Sequence, residues 1–199
     1  MPAAKKRPAR TPRALPHELL LHATVRDLTP PIWRGLLVPD HFTLQQLHRV
    51  LQLSFGWRDA HLYEFLIAST VYSEPFEDFK GEDARATALS TLPLIEGTSF
   101  VYMYDFGDDW HVDIHVEGRM PHAEGRERLP YLLGGERAGP PDDCGGLPGY
   151  AELVKVLGDP EHSEHQSLRD WVGPDYDPEL FDVYGVGNAI TLTAAWGRV

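Results

Sequence analysis

Three carboxylates stand close together in the stretch YDFGDDW, where Asp105, Asp108 and Asp109 surround Phe106 and Gly107. Clustered carboxylate oxygens are the donors that Mg²⁺, Mn²⁺ or Ca²⁺ requires, so these residues are candidate metal ligands. Asp143, in GPPDDCGGLPGY, is a fourth candidate, with Asp142 beside it. His61 follows FGWRDA, where a loop hands over to an expected strand, and would serve as general base or additional ligand. The same letters also build turns: Asp accepts hydrogen bonds from free backbone NH groups, and Gly107 would supply a positive φ. From the letters alone the cluster is either a metal site or a turn.

Other reactive types carry weaker signals. Cys144 precedes an expected helix start that would lower its pKa, but none of the ten histidines is placed beside it by the sequence. A lone cysteine is usually a small packed residue. His162 and His165 lie three apart on an expected helix and would share a face, without a third ligand. No phosphate-binding Gly loop with Lys, no GxSxG elbow and no HExxH occurs, which counts against the common enzyme classes.

These residues need a fold to hold them, and 199 residues that are 42% hydrophobic suffice for one substantial core. The division expected is a disordered basic tail over 1–13 and a single domain over 14–199. No apolar run approaches the roughly 18 residues of a membrane span, and the basic N-terminus is followed by Pro and Arg rather than an apolar stretch. The expectation is a cytoplasmic protein without a membrane partner. The single cysteine excludes an internal disulfide and any multi-thiolate zinc site. Net charge is −12, yet five of the 18 basic residues (Lys5, Lys6, Arg7, Arg10 and Arg13) precede the first acid, Glu18. The remaining chain therefore carries −17 and repels polyphosphate, whereas the tail would attract nucleic acid without sequence preference.

Periodicity gives the elements. Leu21, Ala23 and Val25 alternate with polar residues as a first strand, and IWRGLLV before Pro39 reads as its antiparallel partner. TLQQLHRVLQLSFG is a helix with Thr43 and Gln46 at capping-box spacing, Gly56 as C-terminal cap, and Leu44, Leu47, Val50, Leu51 and Phe55 as buried stripe. HLYEFLIAST reads as a third strand, apolar on both faces and therefore central. The region around 73–93 reads as an insertion loop, and the aromatics Tyr72, Phe76 and Phe79 there would meet a protein partner. SFVYMY and WHVDIHVE form a hairpin around DFGDD, with Trp110, Val112, Ile114 and Val116 on one face. RLPYLLGG gives a further short strand. The chain turns helical from Gly149, and Asp159-Pro160 and Asp177-Pro178 would start two more helices. The fold class is α+β: a mainly antiparallel sheet built from hairpins, one N-terminal helix, and a C-terminal group of helices packed on it.

Taken in order, PPIWRGLLVP, FTLQQLHRVLQLSFGW with HLYEF, YDFGDDW, and PPDDCGGLPGY resemble the signature of the plasmid pRiA4b ORF-3-like family, over residues 18 to 183. Gly35 stands where that family's usual pattern has a second Arg after the one in PPIWR. The matching positions include Trp33, Arg34, His48, Trp57, Gly107, Trp110, Gly145, Gly146 and Gly149, and also His61, Asp105, Asp108 and Asp143, whose polarity packing alone does not explain. The resemblance implies a passenger protein of plasmids and transposable elements with no assigned reaction. Two functions are expected. One is a non-catalytic accessory protein of mobile-element origin that binds a partner, with nucleic acid reached through the tail. The other is a metal-dependent hydrolase, nuclease-like, in which Asp105, Asp108 and Asp143 hold Mg²⁺ or Mn²⁺.

Overall fold

The alternation at the start of the chain becomes β1 (His17–Val25), with Leu19, Leu21, Ala23 and Val25 buried in the computed structural model, which describes residues 16–75, 80–197 and 199. The basic tail, Phe76 and Phe79 lie outside the described residues. β2 (Trp33–Pro39) pairs antiparallel with β1, and β1 also pairs with β7 (Trp110–Pro121), far along the chain. With β3 (Tyr63–Ile67), β4 (Thr70–Ser73), β5 (Glu82–Asp83), β6 (Ser99–Tyr104) and β8 (Tyr131–Glu136), these make one sheet of order β5-β4-β3-β6-β7-β1-β2-β8. Every pairing is antiparallel except β4 with β5. The fold is α+β and a single domain, in the class that the periodicity implied.

Helix α1 (Leu44–Phe55) covers the inner face of the sheet. Thr43 and Gln46 cap each other reciprocally, and Gly56 closes the helix at φ 80°, where a residue with a Cβ would be strained. Leu44, Leu47, Val50, Leu51 and Phe55 are all buried, each worth about 1.5–3 kcal/mol relative to exposure. The helix is then fixed in angle by polar contacts. His48 stacks on Tyr63 at 3.7 Å between ring centroids, its Nδ1 lies 2.8 Å from the Tyr102 hydroxyl, and its Nε2 lies 2.7 Å from Asp59 Oδ1. At the far end Arg34, fully buried, donates to the carbonyls of Ser54, Trp33, Glu136 and Arg137, tying α1 to β2 and β8. Successive strand residues face opposite sides, so an Arg at position 35 would not have stood beside Arg34 on this face.

Several expectations are corrected. β3 is an interior strand, flanked by β4 and β6, but its outer face is not covered and it does not run to residue 70. Ala68 and Ser69 adopt φ of 45° and 72° and reverse the chain into β4, while Leu62 and Leu66 on the outer face are exposed. Left-handed Ala and Ser give no glycine signal, which hid this turn. Residues 80–93 are not a free insertion. Gln45 and Leu44 donate to the carbonyls of Ala84 and Thr87, Leu89 donates to Phe42, and Ala84, Leu89, Leu92 and Leu94 are buried. Tyr72 is half-buried and packs against the core. Neither Asp-Pro pair starts a helix. Asp159 and Asp177 accept from the amides of Glu161 and Glu179 in isolated turns, and the helices begin later as α3 (His165–Val172) and α4 (Val183–Ala195), the latter capped by Asp182 on the Gly185 amide. The intervening α2 spans Gly146–Leu157.

Candidate functional site

The end of the sheet where β6 meets β7 carries the acidic turn, and its local geometry follows from Asp rather than Gly. Asp105 and Asp109 adopt φ of 56° and 57°, a region Asp tolerates, whereas Gly107 is not left-handed. Gly107 is needed for proximity, because a Cβ there would stand 3.2 Å from Asp105 Oδ1. That oxygen accepts from the amides of Gly107 at 2.9 Å and Asp108 at 3.3 Å. The turn expectation is therefore met by one oxygen of Asp105, and the other is free for a different task.

Asp105 Oδ2 lies 3.5 Å from His61 Nε2, and Asp143 Oδ1 lies 3.2 Å from the same nitrogen. One ligand atom from each of His61, Asp105 and Asp143 falls within 4.8 Å of the others, the sole grouping of this kind among the described residues. Asp105 is buried, His61 is half-buried and Asp143 is exposed, so the group is anchored inside and open outward. His61 Nε2 is inaccessible to solvent yet has no hydrogen bond of acceptable geometry, despite two neighbouring carboxylates. A buried ring nitrogen without a partner, aimed between two carboxylates, fits a cation that would complete it.

The remaining sequence candidates lie elsewhere. Asp108 Oδ2 accepts from the Gly145 amide at 3.1 Å and so occupies the start of α2. Asp109 faces His111, 2.9 Å from its Nε2. Asp142 is buried and structural: it accepts from the Tyr104 hydroxyl at 3.2 Å and from the Arg58 amide and Nε at 3.0 and 3.1 Å. His162 lies before α3 rather than on it, so it and His165 do not share a helical face; Nδ1 of the first accepts from the Glu164 amide and Nδ1 of the second lies 2.9 Å from the Val156 carbonyl. Burial, reinforced by the Asp108 charge, pushes the Cys144 thiol up to about 12, opposite to what a nucleophile needs.

The loop bearing Asp142, Asp143 and Cys144 is held by very close backbone approaches. The Trp57 indole donates to the Pro140 carbonyl at 3.0 Å, and a Cβ on Gly139 would lie 1.9 Å from the Phe55 carbonyl. A cleft of about 630 Å³ opens beside Asp143 between this loop, the end of α1 and the segment from Trp171 to Val186. Sequence reasoning missed this cleft and the His48–Tyr102–Asp59 network, because both join residues distant in the chain. The only signals available were His48, Trp57 and Arg34 within the family-like phrases.

The chain belongs to the plasmid pRiA4b ORF-3-like family, whose sequence model matches residues 18–184. The uncharacterized protein y4hQ of Sinorhizobium fredii is 36% identical over 183 residues, covering 89% of this chain and 93% of its own. The crystal structure of the protein of unknown function MM3350 from Methanosarcina mazei Go1 shares 32% identity, with a TM-score of 0.76 over 86% of this chain and 98% of that one. No helix among the described residues is long and apolar enough to cross a membrane.

Proposed function

We propose that the protein binds a divalent cation between His61, Asp105 and Asp143 and acts as a metal-dependent hydrolase on an anionic ligand. The observation that carries this is His61 Nε2, buried, without a hydrogen bond, and between two carboxylate oxygens at 3.2 and 3.5 Å. Three protein ligands leave coordination positions open on the exposed Asp143 side, and such a cation lowers the pKa of a bound water to make a nucleophile. The imidazole donor favours Mn²⁺ or Zn²⁺ over Mg²⁺. Within the chain, Asp105 orients through its bonds to the turn amides, and Asp108 and Asp142 steady the loop that delivers Asp143.

Thermal unfolding with EDTA, Mg²⁺, Mn²⁺, Zn²⁺ and Ca²⁺ tests this. A cation at one hundred times its Kd should raise the midpoint by roughly 5–10 °C. The shift should vanish in His61→Ala and in Asp105→Asn, which keeps the turn acceptor. No shift with any ion refutes the proposal.

A second reading, an accessory protein that binds a partner, is supported by α4. Its 13 residues include no charged side chain, and Tyr184 and Leu192 are 86% and 52% exposed. Sedimentation of wild type against Tyr184→Lys/Leu192→Lys tests the self-associating form of this reading, which expects a concentration-dependent species that the variant lacks. The tail Lys5, Lys6, Arg7, Arg10 and Arg13 is proposed to contact nucleic acid, so deleting residues 1–13 should weaken DNA binding and flatten its salt dependence.

A further inference from the structure

We infer that the cleft beside the triad seats a mononucleotide-sized ligand, a flat aromatic ring bearing an anionic group, and takes it only when the triad holds its cation. This rests on the cation-site proposal above. The cleft, about 630 Å³, has the size of a small-molecule site and shares Asp143 with the triad. Three features of its lining point to this ligand.

The first is a buried cation without an anion. Arg34 is 1% exposed at the cleft floor and spends its donors on four carbonyls and no carboxylate. Burial lowers its pKa to about 9, which leaves it charged at neutral pH. The Phe181 and Phe55 rings lie 3.6 and 4.9 Å from its guanidinium, and being buried it acts on a ligand through its field rather than by contact. The second is Arg58. Its Nε is held by Asp142, while its side chain is 74% exposed at the rim and supplies the direct contact to an anion. The third is Trp171, 49% exposed in the cleft wall beside Val172 and Val186, a surface on which a planar ring stacks.

Charge supplies the coupling. Two guanidinium groups, Arg34 and Arg58, meet three carboxylates, Asp142, Asp143 and Asp182, leaving one net negative charge in the lining. Asp105, the other carboxylate of the triad, brings the total to two net negative charges, and a divalent cation held between Asp105 and Asp143 neutralises them. An anion is therefore repelled from the cation-free cleft, whereas in the loaded one that repulsion is gone and the cation itself offers the anion a ligand position.

Calorimetric titration of the full chain with AMP tests this, in saturating Mn²⁺ and in EDTA, beside adenosine and ribose 5-phosphate, with Mn²⁺ binding followed separately by its electron paramagnetic resonance. AMP should bind the Mn²⁺ form at least tenfold more tightly than either fragment, and at least tenfold more tightly than it binds in EDTA. Trp171→Ala should lose at least fivefold for AMP with Mn²⁺ affinity unchanged, and Arg58→Gln should lose a similar factor. Bound Mn²⁺ with no AMP affinity overturns this inference and leaves the cation site standing, whereas no Mn²⁺ binding overturns both. AMP binding that ignores EDTA, or ribose 5-phosphate binding as tightly as AMP, overturns the inference as well.

Discussion

The Asp108 carboxylate accepts a hydrogen bond from the Gly145 amide at 3.1 Å, and through that bond the β6–β7 turn grips the loop that carries Asp143. Asp108 thus works one step behind the triad. Asp108→Ala should weaken Mn²⁺ binding about tenfold, as outer partners of metal sites do. Its stability cost should stay at about 1 kcal/mol, the worth of one partly exposed acid at a helix start. Titration calorimetry and urea unfolding on the same variant would separate the two effects, and a variant with unchanged Mn²⁺ affinity would remove Asp108 from the positioning scheme.

The next residue along tests the same contact by sterics. Gly146 has φ 64°, and a Cβ there would stand 2.5 Å from the Asp108 carbonyl oxygen, a backbone atom that cannot swing aside. Gly146→Ala should cost roughly 2–4 kcal/mol from strain and forced displacement together. Gly97, with φ 85° and open space around it, is the control: Gly97→Ala should cost only about 1 kcal/mol. Equal urea midpoints for the two variants would contradict the close approach.

A pH dependence follows from His48. Burial lowers its pKa below the ordinary 6.5 although Asp59 pulls the other way, and the same hydrogen bond lowers Asp59. A histidine depressed in the folded state binds fewer protons there than when unfolded, so stability falls as pH drops below about 6.5. Asp59 acts only near the carboxylate range, at much lower pH. Between pH 7.5 and 5.5 the urea midpoint of the wild type should decline, and His48→Gln should start less stable and show a flatter profile. A decline of the same slope in both proteins would assign it to other groups.

Cys144 should be nearly inert. With its thiol pushed to about 12 by burial and by Asp108, its reaction with iodoacetamide at pH 7.5 should be at least ~100-fold slower than that of a free cysteine thiol. Mass spectrometry of timed alkylation measures this directly, with urea-unfolded protein as the fast reference. Rapid labelling of the folded protein would restore Cys144 as a reactive group.

What the sequence determined by itself was local in origin. The Thr43–Gln46 caps, the apolar stripe of α1, and the alternation of Trp110, Val112, Ile114 and Val116 are set by contacts within a few residues, and periodicity records such contacts. The resemblance carried by four short phrases identified the family, and it put His61, Asp105, Asp108 and Asp143 among the matching positions. Only the tertiary structure decided their roles. One oxygen of Asp105 serves its turn while the other meets His61, Asp143 arrives from another loop, and Asp108 and Asp109 turn to Gly145 and His111. The pairing of β1 with β7, the reversal at Ala68 and Ser69, and the burial of Glu18 against His122 and Arg126 were likewise decided by long-range packing. The physical reason is that carboxylates look alike in sequence, and which partner each one takes is fixed by backbone positions that only the closed sheet brings together.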